Sequence, residues 1–328
     1  MPSFAPTLRR GAAALLACFA LMAQAAPEEI TYLLPAPANL PAFAPWMIAM
    51  QNGYYADENL KVTFVSGKGG VDVAKQVGVG NAPIGGAIGD TPIIVRANGV
   101  PVRAVAVLGE GSLMQLAVHA AGPVKAIGDL KGKTITTMAY TDTTYYALLG
   151  ALKSAHLGKS DVSAQAAGPA GTWQLFAANK AEAMAAVPEW IVSAEDAGAK
   201  VRLLPSAQAF PSMAQAIIAS DELIKTKPDL IKRLVRATLR GMQDIMKDPK
   251  AAAAVYVKAV PQFAGKEATV ERIFVLYRDR VYANQKVLGQ IDPKRLEAVQ
   301  KFYVDEGVVS KATPVAELYT NQFIGVSR

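Results

Sequence analysis

The chain has 328 residues, 52% of them hydrophobic, with 34 basic and 27 acidic side chains and a formal net charge of +7. That length exceeds what one core usually fills, so two lobes are expected. One cysteine and two histidines argue against a disulfide framework, an iron–sulfur site or a cysteine nucleophile, and no Lys/Arg stripe with interleaved aromatics marks a nucleic-acid surface.

The first 25 residues read as a signal peptide. Arg9 and Arg10 form a basic head, Gly11–Met22 is a short apolar run, and Ala23-Gln24-Ala25 is a cleavage signal leaving Ala26 as the mature start. A second reading takes Leu15-Leu16-Ala17-Cys18 as a lipoprotein box, although Phe19–Met22 continues the apolar run past it. Ordinary cleavage removes the only thiol and lowers the charge to +5. Export to the periplasm is expected.

Ile30–Leu34 is a buried strand ended by Pro35-Ala36-Pro37, and a helix opens near Pro45 and closes at Gly53. Lys61–Val65 is the second strand, Ser66–Gly70 a loop and Val71–Val77 a helix. Ile84–Ile88 is a small-residue strand, Thr91–Ala97 a helix with Pro92 in its first turn, and Val102–Leu108 a further strand. Alternating strands and helices imply parallel pairing, with loops at the strands' C-terminal ends. Leu113–His119 reads as a crossover strand into a second lobe. There Thr134–Met138, Val162–Ala166, Ala183–Val187 and Val201–Leu204 alternate with helices at Thr143–Ala155, from about Thr172, and from Pro188. Met213–Ala219 is the returning crossover. From Ser220 onward the chain reads as helical, with Leu230, Leu234, Val235, Leu239, Met242 and Met246 forming an apolar stripe. Asp248-Pro249 and Asp292-Pro293 read as helix caps followed by first-turn prolines.

The order Ala42–Ala49, Asn52-Gly53-Tyr54-Tyr55, Leu60-Lys61-Val62, Gly80–Gly86, Gly89-Asp90-Thr91-Pro92 and Asn98–Val102 resembles the first lobe of periplasmic substrate-binding proteins of ABC transporters. The type is the nitrate/sulfonate/taurine one, which shares a fold with thiamine-pyrimidine synthases. The turn Asp129–Lys133 before Thr134 is similar to the start of that family's second lobe. The resemblance implies an α/β, two-lobed type II binding protein with a ligand cleft between lobes and C-terminal helices on the first. Lobes of 26–112 with 220–328, and of 113–219, follow from it. It further implies a monomer that closes by hinge motion on a small molecule and delivers it to a membrane permease and ATPase, without catalysis, cofactor or metal.

Sites in open α/β sheets lie beyond the strands' C-terminal ends. Five loops qualify: Asn39–Phe43, Ser66–Gly70, Gly89–Thr91, Tyr140–Thr144 and Pro188–Trp190, with Glu110 at the rim. Helix N-termini at Gly69, Thr91 and Thr143 offer unpaired N–H groups to an oxyanion. Thr91, Thr141 and Thr143 add hydroxyls and Lys68 a charge, although such threonines equally cap helices and such a lysine is equally a solvated loop residue. Asp90 and Glu189 suit an amine or a heterocycle, or simply cap helices. Phe43, Tyr140 and Trp190 offer flat walls, although buried aromatics more often belong to a core. Many family members carry an aromatic residue just before the glutamate of the last cleft loop, where this chain has Val187-Pro188.

A small organic anion such as a sulfonate, taurine or nitrate is the expected ligand. The alternative is a pyrimidine-like vitamin precursor. A pyrimidine-synthase-like enzyme lacks its thiol-rich segment here, and His119 and His156 sit where structural roles suffice. A ligand sensor signalling to a membrane receptor is the remaining class.

Overall fold

The computed structural model describes residues 26–140 and 142–325. The leader features around Arg9, Cys18 and Ala25, and Thr141 of the candidate site, lie outside the described residues.

The strands are β1 (Glu28–Leu34), β2 (Leu60–Ser66), β3 (Ile84–Ile88), β4 (Val102–Val107), β5 (Gln115–His119), β6 (Thr134–Thr137), β7 (Ser163–Ala166), β8 (Ala183–Ala186), β9 (Val201–Leu204) and β10 (Gln215–Ser220). They form two five-stranded sheets, ordered β2-β1-β3-β10-β4 and β7-β6-β8-β5-β9. Helices cover both sheets, as in other α/β layer architectures. In β1 the side chains alternate, burying Ile30, Tyr32 and Leu34.

Pairing is parallel in β1/β2, β1/β3, β6/β7 and β6/β8. The expectation of parallel sheets fails at one strand in each. β10 runs antiparallel between β3 and β4, and β5 runs antiparallel between β8 and β9. Each is the strand by which the chain enters or re-enters a sheet from the other lobe, so its direction is reversed. Because both strands are laddered into their sheets, the crossings between lobes are the segments just before them, 108–114 and 205–214, rather than the strands themselves. The crossings lie side by side: Leu113 N–H donates to Met213 O at 3.2 Å, and the Ser112 and Ser212 hydroxyls share a short hydrogen bond.

One helix of the second lobe starts earlier than its sequence suggests. It spans Gly168–Ala177 and not from about Thr172, because Pro169 occupies the first turn.

After β10 the named elements are helical, as the sequence implies. The long helix Pro228–Lys247 buries Leu230, Leu234, Val235 and Met242 and packs on the helix Ala44–Gln51. Gly241 permits that approach: a Cβ there would stand 2.1 Å from Pro45 O. The helix Glu267–Leu276 runs into a π-helical turn, Tyr277–Tyr282, against which the first crossing lies. Gly111 donates to Val281 O at 2.9 Å, and a Cβ on Gly111 would meet Arg280 O at 1.8 Å. The helix Pro293–Asp305 then crosses the hinge. The Arg295 guanidinium donates to the carbonyls of Glu110, Pro211 and Ser212, so one side chain holds both crossings.

Candidate functional site

The loops after the strands of the two sheets meet: Asp90, Thr143 and Thr144 line one slot, and Glu189 reaches the Ala42 N–H. Asp90 heads the helix Thr91–Arg96 but does not cap it. Its carboxylate turns inward instead. Oδ2 accepts from the Tyr303 hydroxyl at 2.7 Å, while Oδ1 is buried without a partner. Burial pushes this carboxyl up to about 6, against the lowering effect of Tyr303. The Thr91 hydroxyl beside it is likewise buried and unpartnered. Across the lobes stand Thr143 and Thr144 at the start of the helix Thr143–Ser154, and they share a slot with Asp90 that is too tight for a water molecule. Asp142 caps that helix, accepting from Thr144 N–H at 2.9 Å, and burial raises its carboxyl above the usual range.

A second cluster lies toward the β1 side. Glu189, in the first turn of the helix Pro188–Asp196, accepts from the Tyr277 hydroxyl at 2.8 Å and faces the Ala42 N–H. Burial raises its carboxyl. Tyr277 stacks on Tyr282 at 5.3 Å, and the Tyr282 hydroxyl is buried without a partner. Gln215, first residue of β10, donates through Nε2 to Ala42 O at 2.8 Å and leaves Oε1 unpartnered. Phe43 packs edge-on against Trp46 at 6.1 Å, and Trp46 meets Tyr32 at 6.0 Å. Trp46 Nε1 faces the Tyr32 hydroxyl, and both are buried; Thr137 Oγ1 at the end of β6 is a further buried, unpartnered atom. Buried polar atoms are almost always satisfied, so this concentration makes the region the candidate site.

The turn at Gly69 and Gly70 lies beside the first cluster, since a Cβ on Gly70 would stand 3.5 Å from Thr91 Oγ1. Lys68 is exposed, with its backbone N–H fastened to Asp72 at 2.9 Å. Gly69 has φ +98° and precedes the helix Gly70–Gly78. Glu110 lines a separate cavity of about 240 Å³ beside the hinge, with Arg295, Asp292 and Gln285. Tyr140 is 52% exposed and donates to Ala164 O at 3.0 Å. Trp190 is half-buried and packs against the small core around Phe176.

Sequence reasoning missed Tyr277, Tyr282, Tyr303, Gln215 and Arg295. The aromatic run from Phe274 to Tyr282 was a visible signal, but nothing local separates a cleft tyrosine from a core one.

The NMT1/THI5-like family model matches residues 40–252. The riboflavin-binding protein RibY of Chloroflexus aurantiacus is 26% identical over 327 residues, covering 98% of this chain and 93% of RibY. Among solved structures, the periplasmic aliphatic sulphonate binding protein SsuA of Escherichia coli superimposes with a TM-score of 0.72 at 16% identity, covering 92% of this chain and 95% of SsuA. The desulfurization enzyme DszB does so at 0.59 and 16% identity, covering 90% and 97%. Likeness at such identities establishes the fold alone, which serves binders and at least one enzyme. The family match spans well over half of the chain, so this protein belongs to the NMT1/THI5-like family and has the two-lobed α/β fold of the periplasmic binding proteins.

Proposed function

We propose that the chain is the solute-binding component of an ABC importer, exported through residues 1–25, and that it closes on a small, flat, uncharged heteroaromatic compound. The moving bodies in this reading are the two sheets with their covering helices, 26–107 with 215–325 and 115–204, joined by the crossings 108–114 and 205–214. Closure shifts the equilibrium only if the ligand touches both lobes, and the shut protein is then offered to a permease.

One observation carries the choice of ligand. The unpartnered atoms of Asp90, Thr91, Gln215 and Tyr282 mix donors and acceptors beside aromatic rings, which suits a ring system bearing N–H and C=O groups. The guanidinium that bears on Asp90, that of Arg295, is spent on three carbonyls. RibY, a riboflavin binder by name, agrees with this class.

A second reading, a small sulfonate, is favoured by the likeness to SsuA and by the N-termini of the helices Gly70–Gly78 and Thr143–Ser154. A thermal-shift screen over riboflavin, pyrimidines, taurine, alkanesulfonates and nitrate separates the two. A ligand at a hundred times its Kd should stabilise by about 2.7 kcal/mol. Stabilisation by heteroaromatics is expected; stabilisation by sulfonates alone would overturn the reading. Glu189→Gln should abolish heterocycle binding and spare a sulfonate, and Thr143→Val the reverse.

A further inference from the structure

Asp90 and Asp142 reach the lobe interface from opposite sides. Asp90 is 1% exposed and keeps one oxygen without a partner, although it occupies a helix start where capping would have satisfied it. Thr144, which Asp142 holds through Oδ1, lines the same slot as Asp90. Tyr303 joins the two sides: its hydroxyl bonds Asp90, its ring meets Tyr146 at 5.9 Å, and both aspartates act on it electrostatically. The charged and titratable groups that face Asp90 are Tyr303 and Arg295 of the helix Pro293–Asp305, and Asp142 of the second lobe. Arg295 opposes the burial of charge, but its hydrogen bonds go to Glu110, Pro211 and Ser212.

We propose that Asp90 and Asp142 form a carboxylate gate between the lobes, which shuts only when a hydrogen-bond donor occupies Asp90 Oδ1, and which thereby selects the ligand. In the empty protein the donor is a proton taken from solvent. In the loaded protein it is an amino, imino or hydroxyl group on the ligand's edge, and a ligand presenting an anionic edge there is refused. The ligand half of the gate rests on the heteroaromatic reading above; the proton half does not.

The sign follows from the shut state. Burial raises the Asp90 carboxyl to about 6 from an ordinary 3.8, so the shut form binds more protons than the open form. Proton-driven closure is complete below about 3.8 and is lost as pH rises through about 6.

Small-angle scattering of the ligand-free mature protein tests this between pH 5 and pH 8. The wild type is expected to expand as pH rises, its closure equilibrium constant falling about tenfold, whereas Asp90→Asn stays compact throughout. A wild-type radius that does not change, or an Asp90→Asn curve that follows the wild type, overturns the gate. Should Asp90→Asn not fold, Asp142→Asn is the second readout. With the like charge gone it should stay shut to a higher pH than the wild type, and an unchanged midpoint overturns the proposal. Adding riboflavin at pH 8 should restore compaction in the wild type. If riboflavin fails to bind, the heteroaromatic reading falls, while the scattering curves still decide the gate.

Discussion

The Glu189 carboxylate accepts a 2.8 Å hydrogen bond from the Tyr277 hydroxyl, 88 residues further along the chain. Glu189 follows β8 of the second sheet, while Tyr277 opens the π-helical turn on which the first crossing rests. The bond therefore ties the loop after β8 to the turn that supports the first crossing.

Tyr277→Phe removes that bond and leaves the ring stack on Tyr282 intact. An interaction of this kind contributes about 1–2 kcal/mol, so ligand affinity should fall roughly 5- to 30-fold. The melting temperature of the free protein should change little. Titration calorimetry beside a thermal melt checks both, and unchanged affinity would remove Tyr277 from the closing mechanism.

Two exposed sets of ion pairs also join helices of the second sheet to the C-terminal helices. Arg272 pairs with Glu195 at 2.6 Å and with Asp196, and Lys153 pairs with Glu306 at 2.8 Å. Solvent screens such pairs, so Arg272→Ala should cost only about 0.5 kcal/mol. Their salt dependence is the better readout. Affinity for an uncharged ligand should weaken several-fold from 0.01 M to 0.5 M salt, and less in the Arg272→Ala, Lys153→Ala double variant.

Gly241→Ala places a methyl 2.1 Å from Pro45 O, a backbone atom that cannot swing aside. Overpacking of this sort costs about 1–3 kcal/mol or more, and differential scanning calorimetry should register a melting temperature several degrees lower. A neutral result would mean that the helices Pro228–Lys247 and Ala44–Gln51 separate at little cost.

Asp221 gives an acid-side test. Burial pushes its carboxyl up, but hydrogen bonds from Arg103 and Arg96, at 2.7 Å and 3.0 Å, override this and hold it below the ordinary 3.8. The resulting stability is present above the unfolded value and is lost as pH falls through the lowered folded one. With partial exposure taken into account, Asp221→Asn should cost about 1 kcal/mol at pH 7 and almost nothing at pH 2. Urea melts at the two pH values decide it.

The export reading predicts an intact mass beginning at Ala26. A lipid-modified Cys18 as the first residue would replace it with the lipoprotein reading.

The succession of elements along the chain and most of their positions were legible because alternation in β1 and prolines in first turns act locally. The reversed β5 and β10 were not, since pairing with strands from the far side of a crossing leaves no local mark. Within the site, Asp90 was visible as a carboxylate after a glycine-rich strand, but only the fold distinguishes it from a helix cap. Tyr277 and Tyr303 were invisible for the opposite reason: at helical spacing among Phe274, Val281 and Leu296 they read as core, and three-dimensional closure brings their hydroxyls to the cleft.

The position of β10 also dictates an order of assembly. β4 pairs within its sheet only with β10, which supplies the bridge between β3 and β4. A chain emerging amino end first thus completes the contiguous strands β5 to β9 while β4 still lacks its neighbour. The first sheet closes after residue 220 has appeared, against a second lobe that is already formed. Non-local pairing of this kind is slow and leaves strand edges bare in the interim. The vulnerable interval is the wait of β3 and β4 for a strand more than a hundred residues behind them.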